Sequence, residues 1–271
     1  MLSKALLSLL ISLPLFSQDL INGTTALFVF SKIPQKASLH YESKTIPLLT
    51  HPLHVKKKFA LVPINYRETS GDKNLTVTYP NGSKALALHV SQGDYLSEQI
   101  RVAPSKVKPN KKQKERTSRE YAEAMKIYHT FTHKRYWKQP FIRPMQSKIT
   151  STFGTARMFN NTLKSFHSGT DFRAKIGTPI HATNDGVVVI AKDRYYAGNS
   201  VVIDHGEGIY SCYYHLSALH VKLGDSIKQN ELIGLSGATG RVSGPHLHYA
   251  IMVHGVQVDP LAFHQKINSL F

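Results

Sequence analysis

The stretch Ser243-Gly-Pro-His-Leu-His-Tyr-Ala-Ile-Met-Val253 decides how the second half of this chain is read. Extended backbone sends alternate side chains to opposite faces. His246, His248, Ala250 and Met252 therefore share one face, and Leu247, Tyr249, Ile251 and Val253 share the other. The second set is wholly apolar and predicts a core-facing surface. Two imidazoles are then presented together on the opposite face, just after Gly244-Pro245 stops strand pairing and opens space above them. Neutral imidazoles side by side are costly to bury alone, and they suit a metal ion.

Working outward, residues 137–271 hold further short apolar runs, such as Gly186-Val-Val-Val-Ile190 and Ser200-Val-Val-Ile203, separated by glycine-bearing turns. This texture predicts a compact all-β domain of many short strands. Three other segments in it carry chemistry. In His167-Ser-Gly-Thr-Asp171, Gly169 and the β-branched Thr170 argue against a helix. Fully extended, the two Cα atoms would lie roughly 13 Å apart. If both side chains meet one ion, the chain must bend at Ser168-Gly169. In Tyr213-Tyr-His215, alternation groups His215 with Tyr213 and Ser211, opposite a face holding Cys212, Tyr210 and Tyr214. Ser236-Gly-Ala-Thr-Gly-Arg241-Val-Ser-Gly244 is glycine-rich, but its spacing fits neither a Walker loop nor a dinucleotide fingerprint, and a strand follows it. The single cysteine, Cys212, rules out an internal disulfide and reads as an inert core thiol. Spacing alone leaves open a closed structural metal site that uses both strand histidines.

The upstream half differs. Residues 1–17 have a short basic start, an apolar stretch from Ala5 to Phe16 and a small residue before a polar segment, the pattern of a secretory signal peptide. Residues 18–102 alternate over short runs separated by Asn22-Gly23, Ser70-Gly71, Asn81-Gly82 and Gln92-Gly93, which predicts hairpins and a small β-sandwich. Its histidines, His40, His51, His54 and His89, are scattered and read as surface or edge residues. Residues 103–136 form a basic linker, punctuated by proline up to residue 119, and then an amphipathic helix from Ser118 to about His133. No later segment is long and apolar enough for a transmembrane helix, so the mature chain is expected to have none. The chain carries 34 Lys+Arg against 17 acidic residues, a net charge of +17, which favours polyanionic surroundings. Nucleic acid is not expected as a partner, because no nucleic-acid motif accompanies the charge.

Taken in order, His167-Ser-Gly-Thr-Asp171, Gly177-Thr-Pro-Ile, Asp185-Gly-Val-Val, Gly198-Asn-Ser-Val-Val-Ile-Asp-His-Gly206, Tyr214-His-Leu-Ser217, Gly224-Asp, Gly237-Ala-Thr-Gly-Arg241 and Gly244-Pro-His-Leu-His248 resemble the lysostaphin/LytM-type zinc metallopeptidases. Residues 137–271 are the part covered. More loosely, Gly93-Asp-Tyr to Trp137 is similar to the β-domain and helical linker of Gram-negative relatives. The resemblance implies an all-β fold: a compact antiparallel catalytic sheet plus a small N-terminal β-sandwich joined by a helical linker. It implies Zn2+ held by His167, Asp171 and His248, with His246 and His215 as the two catalytic histidines outside the ligand set. Three protein ligands leave a fourth position for water, the arrangement of a catalytic site. His246 would take the water proton and pass it to the leaving amine. His215 would orient the water or stabilise the tetrahedral oxyanion.

Arg241, Tyr195 and Tyr213 are candidates to line a substrate groove, with Arg241 meeting a peptide carboxylate. His205 reads as structural, and His181, His220, His254 and His264 as surface or core residues. The expected activity is hydrolysis of peptidoglycan stem peptides or crosslinks: DD-endopeptidase cleavage between D-alanine and meso-diaminopimelate, with DD-carboxypeptidase trimming beside it. The expected location is the periplasm, associated with the cell wall. The alternative is a non-catalytic LytM-type regulator of cell-wall amidases; all five positions being filled argues against it. The linker or β-domain is expected to cover part of the groove.

Overall fold

The stretch His246–Val253 is an inner strand of an eight-stranded antiparallel sheet. In a computed structural model, residues 18–34 and 36–271 are described; the expected signal segment, residues 1–17, lies outside them. The sheet runs Ile149–Ser151, Thr170–Arg173, His246–Val253, Ile209–Leu216, Gly198–Gly206, Gly186–Arg194, Ser226–Ile227, with Val256–Val258 also pairing to His246–Val253. One face carries Leu247, Tyr249, Ile251 and Val253 into a core with Phe172, Val201, Ile203 and Tyr213. This matches the alternation read from the sequence.

The opposite face is not left to water. Ala250, Met252, Tyr210 and Cys212 pack under Ala124 and Tyr128 of the helix Lys111–Tyr128. Cys212 is fully buried, and burial raises its thiol pKa. The helix begins at Lys111, earlier than the proline-punctuated sequence predicted. The reason is local: Asn110 and Gln113 form a reciprocal capping box at 2.9 Å in both directions. Such a cap contributes about 1 kcal/mol. Exposed ion pairs such as Lys192–Glu123 also reach from sheet to helix. Pairs of that kind contribute at most about 1 kcal/mol each, so the buried apolar stripe is what seats the helix.

Residues 18–91 form three small sheets around Leu20, Ala26, Leu39, Val62, Val77 and Val90. The antiparallel pair Thr25–Phe30 and Lys58–Pro63 has a second apolar side. Its Phe59 and Leu61 enter the same cluster as Trp137 and Phe141. Arg135 reinforces this junction: it pairs with Glu207 at 2.7 Å, donates to the Thr50 carbonyl and stacks 4.5 Å from the Trp137 ring. That side of the upstream pair and the C-terminal sheet therefore share one cluster, while the rest of the upstream part keeps a core of its own.

Strand Ser97–Ile100 departs from the expected division. It pairs in parallel with Ala156–Phe159, a strand of the hairpin that ends with Leu163–Phe166, rather than with the upstream sheets. Among the described residues, no helix is long and apolar enough to cross a membrane.

Candidate active site

Asp171 and His248 are direct cross-strand partners, and His248 is in turn opposite Tyr214. The sheet thus sets one carboxylate and one imidazole next to each other on one face. His167 reaches them from the segment following Leu163–Phe166, where the chain bends at Gly169. Space explains the glycine there. A Cβ at Gly169 would strike the Tyr249 carbonyl and come within 2.7 Å of His248 Nε2.

The three donor atoms converge tightly. His167 Nε2 lies 2.9 Å from Asp171 Oδ1 and 3.0 Å from His248 Nδ1, and His248 Nδ1 lies 2.9 Å from Asp171 Oδ1. All three residues are buried, with exposures of 1%, 5% and 6% for His167, Asp171 and His248. His167 Nδ1 donates to the Thr152 carbonyl at 2.8 Å, since a carbonyl only accepts. Its Nε2 therefore presents a lone pair. Burial pushes the His248 pKa down to about 4, keeping that ring neutral at physiological pH. Burial opposes charge on Asp171, but the contacts with His167 and His248 outweigh it and hold its carboxyl well below the usual range. Two imidazole nitrogens and a carboxylate oxygen gathered within 3.0 Å of one another are a donor set that can hold a metal ion. A tetrahedral zinc with bonds of about 2.1 Å spaces its ligand atoms about 3.4 Å apart, close to the separations here. The residues present fit the ion.

Two further imidazoles border this cluster. His215 and His246 have ring centroids 4.9 Å apart, and His246 Nε2 lies 3.7 Å from Asp171 Oδ1. His246 Nδ1 donates to the Gly244 carbonyl and His215 Nδ1 to the Thr239 carbonyl, both at 2.8 Å. These bonds leave both Nε2 atoms as acceptors. Burial, followed by the neighbouring His246 and His248, holds the His215 pKa well below its ordinary value, so His215 stays neutral. The glycine-rich loop before the central strand therefore serves the site by delivering the Thr239 carbonyl that fixes one ring.

His215 reaches the site by an irregularity. Strict alternation would turn it to the Tyr213 side, toward the core. Instead the pairing with Gly198–Gly206 shifts register between Val201/Tyr213 and Asn199/Leu216, and His215 adopts φ +66°. The extra residue of this bulge re-aims the ring onto the His248 face.

Residues 165–260 match peptidase family M23. This part of the chain belongs to that family. All five residues described above fall inside the M23 span. Over 121 residues the chain is 46% identical to the peptidoglycan DD-endopeptidase ShyA of Vibrio cholerae, covering 44% of this chain and 28% of that protein. It is 41% identical over 116 residues to the DD-carboxypeptidase/endopeptidase Mpg of Neisseria meningitidis, covering 43% and 27%. The chain thus spans little more than a quarter of the length of these curated relatives. A Pseudomonas aeruginosa crystal structure assigned to peptidase M23 superposes with a TM-score of 0.70 at 25% identity, across 93% of this chain and 95% of that one. That likeness takes in the N-terminal β-part and the helix as well as the M23 domain.

The groove of the M23 domain consists of two adjoining cavities of about 330 and 180 Å3, which share Arg157, Phe159, His215 and Arg241. Arg241 is held between the rings of Phe159 and Tyr196, at 4.3 and 4.5 Å. Tyr213 does not line the groove. It is fully buried, and its hydroxyl accepts from the Thr183 amide and the Ser211 hydroxyl inside the core. Tyr195 is likewise turned away: its ring lies under Lys106 at 3.8 Å and its hydroxyl donates to the Ser105 carbonyl. Its neighbour Tyr196 faces the groove instead. His205 and His264 are buried, with pKa values lowered by burial to about 4 and about 3. They hydrogen-bond to Ser211 and Tyr249, roles in the core.

Sequence reasoning missed Arg157 and Glu98. Arg157 pairs with Asp171 Oδ2 at 2.7 Å, leaving Oδ1 for the three-atom cluster. Glu98, from the strand Ser97–Ile100, holds Arg157 Nε at 2.5 Å. Glu98 to Arg101 also wall the larger cavity. No local motif announces either residue, because a long-range parallel pairing brings them together.

Proposed function

We propose that this chain is an exported zinc-dependent peptidase that cleaves the D-alanine–meso-diaminopimelate crosslinks of peptidoglycan, with trimming of terminal D-alanine as a second activity. The observation that carries this reading is the convergence of His167, Asp171 and His248 beside two imidazoles whose Nε2 atoms are free to accept. His167, Asp171 and His248 would hold the ion, and zinc in a three-ligand site supplies Lewis-acid activation of water and carbonyl groups. His246 Nε2 takes the proton of the attacking water and returns it to the leaving amine nitrogen. His215, neutral and hydrogen-bonded through Nδ1, accepts from that water and orients it. The same tautomer has no Nε2 hydrogen to give to an oxyanion, so the geometry favours the orienting role.

The names of the Vibrio and Neisseria relatives support peptidoglycan as the substrate. The net charge of +17 supports encounter with an anionic muropeptide in the periplasm. The regulator reading lacks an observation in its favour, since all five positions keep working side chains. The deciding experiment is mass spectrometry of sacculi with defined stem peptides, digested with and without chelator. Crosslinked dimers converted to monomers only without chelator are expected; unchanged dimers in both arms overturn the proposal.

Arg157 is expected to matter through Asp171. Groups that orient metal ligands contribute about 10–100-fold in affinity or activity. Arg157→Met should weaken zinc binding by about that factor, measured by competition with a chromophoric chelator. Unchanged affinity would remove Arg157 from the account.

A further inference from the structure

Beyond Tyr214 on the same sheet face lies a larger cavity of about 430 Å3. Its walls come from three parts of the chain: Tyr66 and Arg67 upstream, Tyr121 and Tyr128 on the helix, and Arg194 and Tyr214 on the sheet. It shares Phe166, Tyr196, Ala197 and Tyr214 with the cavity that touches His215 and His248, so the two form one continuous groove. The Tyr214 ring is the partition. One side stacks on His248, 5.4 Å between centroids and 6° from parallel, and the guanidinium of Arg194 lies 5.8 Å from the same ring.

Arg194 ends the strand Gly186–Arg194. Tyr214 gives it a hydrogen-bonding contact, but its Nε and Nη1 are buried with no partner. The other groups around it, the Tyr128 phenol and the Cys212 thiol, are kept protonated by burial and carry no charge. The cavity has one carboxylate in its lining, Glu120, and it is already engaged by Arg116 Nε at 2.6 Å and the Tyr195 amide at 2.8 Å. A second cation, the exposed Arg67, lies 5.9 Å from the Phe166 ring at the edge of the same cavity. A permanently charged guanidinium that lines the cavity among neutral groups is an uncompensated charge that an anion in the cavity would complete. The aromatic walls suit the aliphatic stem of such a ligand.

We propose that Arg194 anchors a carboxylate subsite in this cavity, taking a free carboxyl group of an acidic peptide that runs along the groove from the cluster of His167, Asp171 and His248. The identity of that peptide as a stem peptide rests on the peptidase reading above; the carboxylate preference does not.

The test is equilibrium binding, by calorimetry, of an uncrosslinked stem tripeptide to the full chain. One ligand keeps its carboxyl groups and the other has them amidated. The wild-type chain should bind the acid form about tenfold more tightly than the amide. In Arg194→Gln that difference should collapse to near one, with the thermal midpoint unchanged or raised. Arg194→Lys keeps the charge without the planar fork and should retain part of the difference; it also stands in should Arg194→Gln fail to fold. Equal discrimination in the wild type and the variants, or none in the wild type, overturns the subsite. Cleavage of crosslinked muropeptides is scored in parallel, so loss of the peptidase reading and loss of the subsite show up as separate results.

Discussion

The Asp171→Asn protein is expected to fold and to lose zinc and hydrolysis together. The carboxylate acts through both oxygens: Oδ1 meets the imidazoles of His167 and His248 at 2.9 Å, and Oδ2 meets Arg157 at 2.7 Å. An amide of the same shape cannot do both. Whichever way it turns, its NH2 group faces either the cation position or the Arg157 guanidinium. The loss of zinc affinity should therefore exceed the about 10–100-fold assigned to a group that only orients a ligand. Hydrolysis of crosslinked muropeptides should fall by several orders of magnitude. Zinc bound at one per chain with normal turnover in this variant would remove Asp171 from the site.

His246→Ala separates chemistry from metal binding. His246 Nε2 lies 3.7 Å from Asp171 Oδ1 but is not one of the three converging atoms. The variant should keep its zinc and its fold, while hydrolysis drops by about 10²–10⁴-fold, the usual contribution of a positioned general base. His215→Ala is the informative companion. Both rings are tied through Nδ1 to a backbone carbonyl, so each offers its Nε2 as acceptor. Hydrolysis unchanged by His246→Ala but lost with His215→Ala would reassign the proton transfer to His215.

Much of this arrangement was legible in the chain because strands obey a two-residue period. The alternation from His246 to Val253 separated a core face from a histidine face, and the pairing in the sheet follows it. What escaped was whatever breaks that period or arrives from far away. His215 reaches its neighbours through a bulge that no alternation rule announces. Tyr213 reads as a polar-tipped groove residue, yet its hydroxyl finds partners in the core at Thr183 and Ser211 and can be buried whole. The helix starts at Lys111 because of one asparagine cap, a signal that the run of lysines obscured. Glu98 and Arg157 meet only because two strands distant in sequence pair in parallel.

The shared interior between the upstream strand pair and the M23 sheet bears on how such chains can be recombined. Phe59 and Leu61 seal Trp137 and Phe141 from water, and burial of side chains of this size is worth about 1.5–3 kcal/mol each. A cut before Trp137 would turn that seal into a greasy scar. Anyone excising the M23 domain as a portable cassette should graft a new lid over the indole, or expect inclusion bodies. The boundary that is easiest to draw along the polymer is thus a poor place for scissors.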